Sequence, residues 1–386
     1  MSGTSADGID AALVRITPGA PLPRPSLLHF RHLPFPADLR TEILACTSPP
    51  QGTVDRVCRL HARLGEAFAE AALGCLREAG AVPEDVALIG SHGQTLHHQP
   101  EGGGPDAPSA TLQVGSPAHI AERTGITTVA DFRPRDLAAG GEGAPLTPLF
   151  HAAAFRAAAR ARIVLNLGGI ANLAYLPPGT GADGVLAFDV GPGNSLLDSL
   201  ASLVSGGAES CDRDGALARQ GQPAPALLAR LLQHPFLRRR PPRSTGRETF
   251  GAAFLETLLA WPEARGVSAP DLAATLTAFT ARATGEAIGA FLPPGTADLL
   301  LCGGGVRNPV LVKALAEACP GLRCLLTDEA GFPARAVEAA AFALLAYLTA
   351  TGRPGNVPAA TGAGAPVILG SITPGRAFPR LPLPEA

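Results

Sequence analysis

The chain has 386 residues, of which 46% are apolar and 17% charged, so it can bury more than one hydrophobic core and is not globally disordered. Its 31 basic and 33 acidic residues give a net charge of −2, without the basic surface typical of nucleic-acid binding. The single lysine, Lys313, has no phosphate-loop glycines around it, which excludes a Walker A loop and disfavours Schiff-base chemistry.

Seven cysteines form no CxxC pair, and their odd number is typical of reduced thiols rather than of a disulfide framework. The start of the chain lacks the basic and apolar regions of a signal peptide. The longest helix-like apolar stretch, residues 336–350, is too short to span a bilayer. We therefore expect a cytoplasmic protein that binds neither nucleic acid nor membranes.

The first part of the chain alternates strand and helix patterns. Apolar spacing predicts strands at 9–16, 26–33, 86–90, 111–115 and 126–130, and helices at 54–79 and 117–125. The strand at 86–90 runs directly into the sequence SHGQT. This alternation predicts an α/β fold with a largely parallel sheet.

A second unit repeats the order of strands, glycine turn and helices. The patterns predict strands at 161–169, 171–176, 185–191, 298–305 and 323–328, helices from Asn194 and Pro309, and a long helical region to about 292. MSGTSADGID and LNLGGIANL occupy matching places, which suggests a weak internal duplication. We place the domains at 1–132 and 133–350, with residues 351–386 packing back on the first.

Glycine turns recur at four places: Gly3–Gly8, Gly168–Gly169, Gly191–Gly193 and Gly303–Gly305. Each alone is consistent with an ordinary tight turn. Glycine also lets successive backbone N–H groups approach a phosphate closely. Four such turns in one α/β chain favour a nucleotide held mainly by backbone and hydroxyl groups.

Carboxylates adjoin these turns. Asp189 precedes a Gly-Pro-Gly turn, where it either caps its own loop or faces a cleft and accepts a proton. Asp7 and Asp10 either assist Mg²⁺ near phosphates or are solvated turn residues. Glu338 begins an apolar helix, a position that the helix dipole alone also favours.

Two further motifs carry polar groups. His92 follows a strand in SHGQTLHH, a sequence without further metal-ligand spacing, which favours hydrogen bonds to a sugar or to the protein over a metal site. Arg133 lies beside a glycine run, where it either binds a carboxylate or phosphate or forms a salt bridge.

An ordered set of motifs covers nearly the whole chain: MSGTSADGID, GSHGQTLHH, TTVADFRPRDLAAGGEGAPL, LNLGGIANL, FDVGPGNSLLD, RSTGRETF, CGGGVRNP and AVEAAAFALLAY. Together they resemble the anhydro-N-acetylmuramic acid kinase family of the actin/Hsp70/sugar-kinase superfamily. The resemblance implies two duplicated actin-like (ribonuclease H-like) α/β domains with a central cleft for ATP and substrate. It also implies a homodimer.

The implied reaction uses ATP, Mg²⁺ and water to open the anhydro bridge of 1,6-anhydro-N-acetylmuramic acid and phosphorylate O6, as in peptidoglycan recycling. Asp189 matches the catalytic base, and Asp7 would hold Mg²⁺ through water. The positions implied for the sugar are Gln94, Thr95, Arg133 and Glu338. The positions implied for ATP are Gly3, Thr4, Ser5, Ala6, Asp7, Gly8, Ile9, Asp10, Asn166, Gly168, Gly169, Gly191, Gly193, Asn194, Gly303, Gly304, Gly305 and Asn308.

The sequence departs from the family pattern at two places. Glu142 stands where the family usually has glutamine, so it either faces the substrate or points to solvent. Family members also carry a short apolar strand before the first loop, so we expect the first sheet to lack an inner strand and ATP binding to be weak. The alternatives are a kinase for another amino sugar and an actin-like or Hsp70-like ATP-binding module.

Overall fold

A computed structural model describes residues 1–3, 6–48, 50–102, 107–179, 181–295 and 297–378. The chain divides into a first unit, Met1–Ala154 with Ala336–Ala386, and a second unit, Phe155–Arg335. These limits differ from the predicted boundary at 132/133. The strands are β1 (Gly8–Thr17), β2 (Arg24–Pro34), β3 (Ile89–Gly90), β4 (Gln94–Gln99), β5 (Ala110–Val114), β6 (Thr128–Ala130), β7 (Ala161–Leu167), β8 (Ile170–Leu176), β9 (Leu186–Pro192), β10 (Ala297–Cys302), β11 (Arg323–Leu326) and β12 (Ser371–Thr373).

The helices follow the apolar spacing of the sequence more closely than the strands do. They are α1 (Ala37–Cys46), α2 (Val54–Ala79), α3 (Pro117–Thr124), α4 (Phe132–Ala138), α5 (Pro148–Phe155), α6 (Ser195–Val204), α7 (Pro225–Leu231), α8 (Arg247–Phe250), α9 (Ala252–Leu259), α10 (Ala269–Phe291), α11 (Pro309–Ala318), α12 (Ala336–Ala350) and α13 (Pro358–Thr361). The predicted helix at 54–79 is confirmed, and the region predicted as helical up to about 292 is divided into α6 to α10.

The first unit is built around α2. Leu60, Leu64 and Phe68 recur at helical spacing on one face of α2 and are buried in a core that also contains Ile9. Gly80 ends the helix in the left-handed conformation, with φ 67°. The predicted strands at 9–16 and 26–33 are confirmed as the antiparallel pair β1–β2.

The prediction of a largely parallel sheet is wrong. Among the described residues of the first unit, β1–β2, β4–β5 and β12–β6 are antiparallel and only β3–β6 is parallel. In the second unit β11, β10 and β7 are parallel, but β7–β8 and β8–β9 are antiparallel. Short connections such as the one from β7 to β8 can join only antiparallel neighbours, because a parallel pair needs a long crossover.

Contacts between residues far apart in the sequence explain why residues after 132 belong to the first unit. The buried carboxylate of Asp136 accepts hydrogen bonds from Asn356 Nδ2 at 2.7 Å and Thr361 Oγ1 at 2.8 Å. Phe132 packs on Phe342 of α12, with ring centroids 5.3 Å apart. The C-terminal segment also adds β12 to the sheet that contains β6.

The second unit has a five-stranded sheet in the order β11-β10-β7-β8-β9. Leu165 of β7, Leu173 of β8 and Leu301 of β10 are buried in the core against this sheet. A second core lies among the helices and contains Phe250 and Phe279. Among the described residues of the chain, no helix has the length and apolarity needed to cross a membrane.

Candidate active site

The start of the first glycine turn is held by Gln94, a residue that the family resemblance implies for the sugar. The Gln94 side chain is buried, accepts a hydrogen bond from Ser2 Oγ at 2.6 Å and donates to the Gly3 carbonyl at 3.2 Å. Gln94 therefore fixes the start of this turn. Its neighbour Thr95 accepts a hydrogen bond from Gln113 at 3.3 Å. Thr4 and Ser5, predicted ATP contacts, lie outside the described residues.

The rest of the turn joins β1. Ala6 is buried in the left-handed conformation, with φ 48°, and its N–H donates to the Gly3 carbonyl at 3.1 Å. Gly8 packs against β2 so closely that a Cβ there would overlap the Leu33 carbonyl. Asp7 is exposed, and Asp10 lies 2.8 Å from His32 Nδ1. The side chain of Ile9 points into the core instead of toward a ligand.

A second group in the first unit contains Arg133, Glu338 and His92. Arg133 Nε donates to His92 Nε2 at 2.9 Å, so His92 is neutral with its proton on Nδ1, which lies 3.1 Å from the Gly93 carbonyl oxygen. Burial and the positive charge of Arg133 hold the pKa of His92 well below its usual range. This histidine is therefore a hydrogen-bonding support for Arg133.

Burial dominates the electrostatics of this group. It lowers the pKa of Arg133 to about 10, although Glu338 and Asp136 favour the charged form. It also raises the pKa of Glu338, against the opposing effect of Arg133. Arg133 Nη1 donates to the Gly143 carbonyl at 2.8 Å, which ties the arginine to the glycine run. Glu142, in the position of the family's glutamine, is exposed.

In the second unit, two glycine turns lie at the same edge of the sheet. Parallel strands β7 and β10 are paired so that Asn166 lies opposite Cys302, and both strands therefore end together. Gly303 and Gly305 follow β10 and approach Asn166 and Asn194 so closely that a Cβ on either glycine would overlap them. The close approach requires glycine at both positions.

Asn194 occupies the N-cap position of α6, but its side chain does not cap the helix. Its Nδ2 donates to the carbonyls of Leu167 and Gly168, each at 2.9 Å, and so clamps the Gly168–Gly169 turn. The main-chain N–H groups of Gly193 and Ser195 donate to the Gly169 carbonyl at 2.9 and 3.0 Å. The turn is thus fixed from the start of α6.

The remaining predicted ATP residues of the second unit differ in exposure. Asn308 is buried and its Oδ1 caps α11, accepting from the N–H of Val310 at 3.0 Å. Gly304 is exposed, and no atom lies within 4 Å of a Cβ built there. Gly191 has φ 155°, in the region that favours glycine.

Asp189 lies within β9, opposite Asn172, where a bulge interrupts the pairing with β8. Its Oδ2 accepts hydrogen bonds from the Thr245 N–H at 2.9 Å and from Ser244 Oγ at 3.4 Å. Hydrogen bonds to the charged form favour an ionised carboxylate. The geometry is suited to a fixed proton acceptor.

Arg243 binds the main chain of Asp189, and the sequence analysis assigned it no role. Its buried guanidinium donates from Nε to the Asp189 carbonyl at 2.8 Å and from Nη1 to the Leu237 carbonyl at 3.0 Å. The ring of Phe291 lies 4.8 Å from the guanidinium carbon. Burial lowers the pKa of Arg243 to about 10. The only feature of the sequence that pointed to Arg243 was its place in the motif RSTGRETF.

The predicted residues thus lie in both units. In the first unit they are Gln94 at the first glycine turn and, in the second group described above, Arg133 and Glu338. In the second unit they are the turns after β7 and β10, and Asp189 on β9. Among the described residues, no three His, Cys, Asp or Glu side chains cluster as metal ligands.

A model of the anhydro-N-acetylmuramic acid kinase family matches residues 1–375. Curated relatives of that name include those of Gloeobacter violaceus, 45% identical over 97% of both chains, and Ralstonia nicotianae, 44% identical over 97% of this chain and 96% of its own. The relative from Caldanaerobacter subterraneus is 42% identical over 97% of this chain and 95% of its own. The chain is therefore a kinase, a phosphotransferase with ATP as donor. It belongs to the anhydro-N-acetylmuramic acid kinase family.

Proposed function

We propose that this chain converts 1,6-anhydro-N-acetylmuramic acid, ATP and water into N-acetylmuramic acid 6-phosphate and ADP. Family membership over the whole matched range supports the substrate and the reaction. The observation that carries the mechanism is the fixed carboxylate of Asp189, which accepts the Thr245 N–H at 2.9 Å.

In this mechanism Asp189 takes a proton from the water that attacks the anomeric carbon, as the base of an inverting glycosidase does. The bond from the anomeric carbon to O6 breaks, and O6 then attacks the γ-phosphorus of ATP. The leaving group of the first step is therefore the nucleophile of the second. The hydrogen bonds to Asp189 keep it ionised and aimed, which is what a general base requires.

We assign the phosphates of ATP to two sets of main-chain groups. In the second unit the turns Gly168–Gly169 and Gly303–Gly305 lie side by side and have no side chains to exclude a phosphate. In the first unit buried Gln94 fixes the start of the first glycine turn, at Ser2 and Gly3. We further propose that the two units are duplicated actin-like domains. We also propose that the active form is a homodimer and that it acts in the cytoplasm, where ATP is available.

The oxygen ligands at the first glycine turn fit a Mg²⁺ ion that is bound mainly by the phosphates of ATP. Mg²⁺ usually keeps several waters and takes one or two protein carboxylates besides phosphate oxygens. The exposed carboxylate of Asp7, one residue before Gly8, would hold it through water. The ion would neutralise charge on the phosphates.

We propose that Arg133 and Glu338 contact the sugar substrate. Arg133 uses Nε and Nη1 for His92 and the Gly143 carbonyl, whereas its Nη2 donates to no residue in the described part of the chain. An arginine nitrogen held in this way is suited to a carboxylate such as the lactyl group of muramic acid. Thr95, partly buried two residues after Gly93, lies on the same strand as Gln94.

The direct test is incubation with Mg-ATP and 1,6-anhydro-N-acetylmuramic acid, with mass spectrometry of the products. We expect N-acetylmuramic acid 6-phosphate and ADP in equal amounts. Phosphorylation only of another amino sugar would support the second kinase hypothesis. ADP formation without any sugar phosphate would support the ATP-binding module. Light scattering tests the homodimer.

A further inference from the structure

Arg247, in the motif RSTGRETF, lies against the second phosphate turn. A Cβ built on Gly169 would lie 3.6 Å from Arg247 Nε and 3.7 Å from Nη2. The guanidinium is therefore next to the face of the turn that glycine leaves open. Arg247 is exposed, and within the described ranges it makes no side-chain hydrogen bond or ion pair.

Main-chain groups at the start of α6 hold the turn by its carbonyls. The N–H groups of Gly193 and Ser195 already donate to the Gly169 carbonyl, and the N–H of Asn194 donates to the Gly168 carbonyl. The single lysine of the chain, Lys313, lies on α11 with its Nζ 3.9 Å from Glu317. A positive charge for the phosphates must therefore come from another residue type in this unit.

Asp198 lies near enough to Arg247 for an electrostatic interaction but does not occupy its donors. Asp198 is in the first turn of α6, and Arg247 acts on it electrostatically. No ion pair within 4.0 Å joins the two among the described side chains. The guanidinium is thus attracted toward α6 while its five N–H groups stay available.

We propose that Arg247 is a further catalytic residue, whose guanidinium binds the terminal phosphates of ATP at the Gly168–Gly169 turn. This inference rests on the proposed function. As O6 bonds to the γ-phosphorus, the bond from that phosphorus to the bridging oxygen breaks and ADP keeps the electron pair. Arg247 remains protonated and stabilises the charge on the transferring oxygens, as arginines do in other phosphoryl transfers.

The test compares Arg247→Ala and Arg247→Lys with Arg265→Ala, which removes an exposed arginine elsewhere in the same unit. We expect kcat to fall about 100- to 1,000-fold in Arg247→Ala, with partial recovery in added guanidinium, and less in Arg247→Lys. Thermal midpoints and the KM for the sugar should match those of wild type. Turnover of Arg247→Ala equal to that of Arg265→Ala would overturn the proposal.

Nucleotide binding separates this proposal from the proposed function. Arg247→Ala should weaken ATP binding at least tenfold, measured by calorimetry, and leave adenosine binding unchanged. That result would support the role of Arg247 even if the wild-type chain phosphorylated no muramic sugar. An equal loss of ATP and adenosine binding would mean a structural role and would contradict the proposal, as would unchanged ATP binding.

Discussion

Glu338 of the first unit and Asp189 of the second are both carboxylates on which an arginine acts electrostatically, but their environments differ. Burial raises the pKa of Glu338, and Arg133 offsets this only partly. Asp189 accepts a main-chain N–H and a hydroxyl, while Arg243 binds its carbonyl instead of its carboxylate. The two carboxylates thus differ in what surrounds them: burial acts on Glu338, whereas direct hydrogen bonds hold the carboxylate of Asp189.

The largest effect should come from Asp189→Asn. Asparagine keeps the size of the side chain but cannot accept the proton of the attacking water. We expect kcat to fall about 100- to 10,000-fold with little change in ATP affinity, measured by coupled ADP release and calorimetry. Near-normal turnover in this variant would refute the assigned role of Asp189.

Arg243→Met tests the support beneath Asp189. The substitution would leave the carbonyls of Asp189 and Leu237 without their buried donor, because methionine cannot donate. We expect a loss of about 3–5 kcal/mol in the free energy of unfolding, measured with urea, and lower kcat. Exposed Arg238 provides the matched control, Arg238→Met. Equal stability of the two variants would contradict this account.

Glu338→Gln tests the other half of the comparison. Because burial already disfavours the ionised form of Glu338, removing its charge should change kcat by less than about tenfold. The KM for the sugar should rise if Glu338 contacts the sugar as proposed. Steady-state kinetics of Glu338→Gln and Asp189→Asn, measured side by side, give kcat and the KM for the sugar. A loss of kcat as large as that of Asp189→Asn would make Glu338 a base and reverse the comparison.

The smallest effect concerns Asp198, whose pKa burial raises to about 6, against the effect of Arg247. The folded state therefore binds more protons than the unfolded state between about pH 4 and 6, so stability falls as the pH rises through this window. Asp198→Asn avoids that loss. It should be more stable than wild type by about 1–2 kcal/mol at pH 7.5 and equal to it at pH 4, by urea unfolding.

Exposed Asp214 supplies the control for this pH dependence. Asp214→Asn should follow the wild-type stability at both pH values. A constant difference between Asp198→Asn and wild type across the range would show that the carboxyl does not titrate on unfolding.

Much of this fold was predictable from local patterns, and the failures have physical causes. The helix at 54–79 follows from apolar spacing alone, since its buried face repeats along the chain. Strand direction is not contained in that spacing, which is why a largely parallel sheet was expected. The unit boundary depends on the buried bond from Asp136 to Asn356, 220 residues apart.

The candidate site was predictable as motifs but not as contacts. Glycine turns and Asp189 stand out because their residue types suit phosphates and proton transfer. The roles of Gln94, Asn194 and Arg243 could not be derived, because each side chain binds carbonyl or amide groups of another segment. Only folding brings those partners together.

The central claim is that water opens the anhydro bridge and O6 then takes the phosphoryl group. Turnover in ¹⁸O-water tests it directly, with short reaction times and a control of product incubated alone in the labelled water. Tandem mass spectrometry should find one heavy oxygen on the anomeric carbon of the sugar phosphate and none in its phosphate or in free phosphate. Heavy oxygen in phosphate would mean attack of water on ATP and would contradict the mechanism.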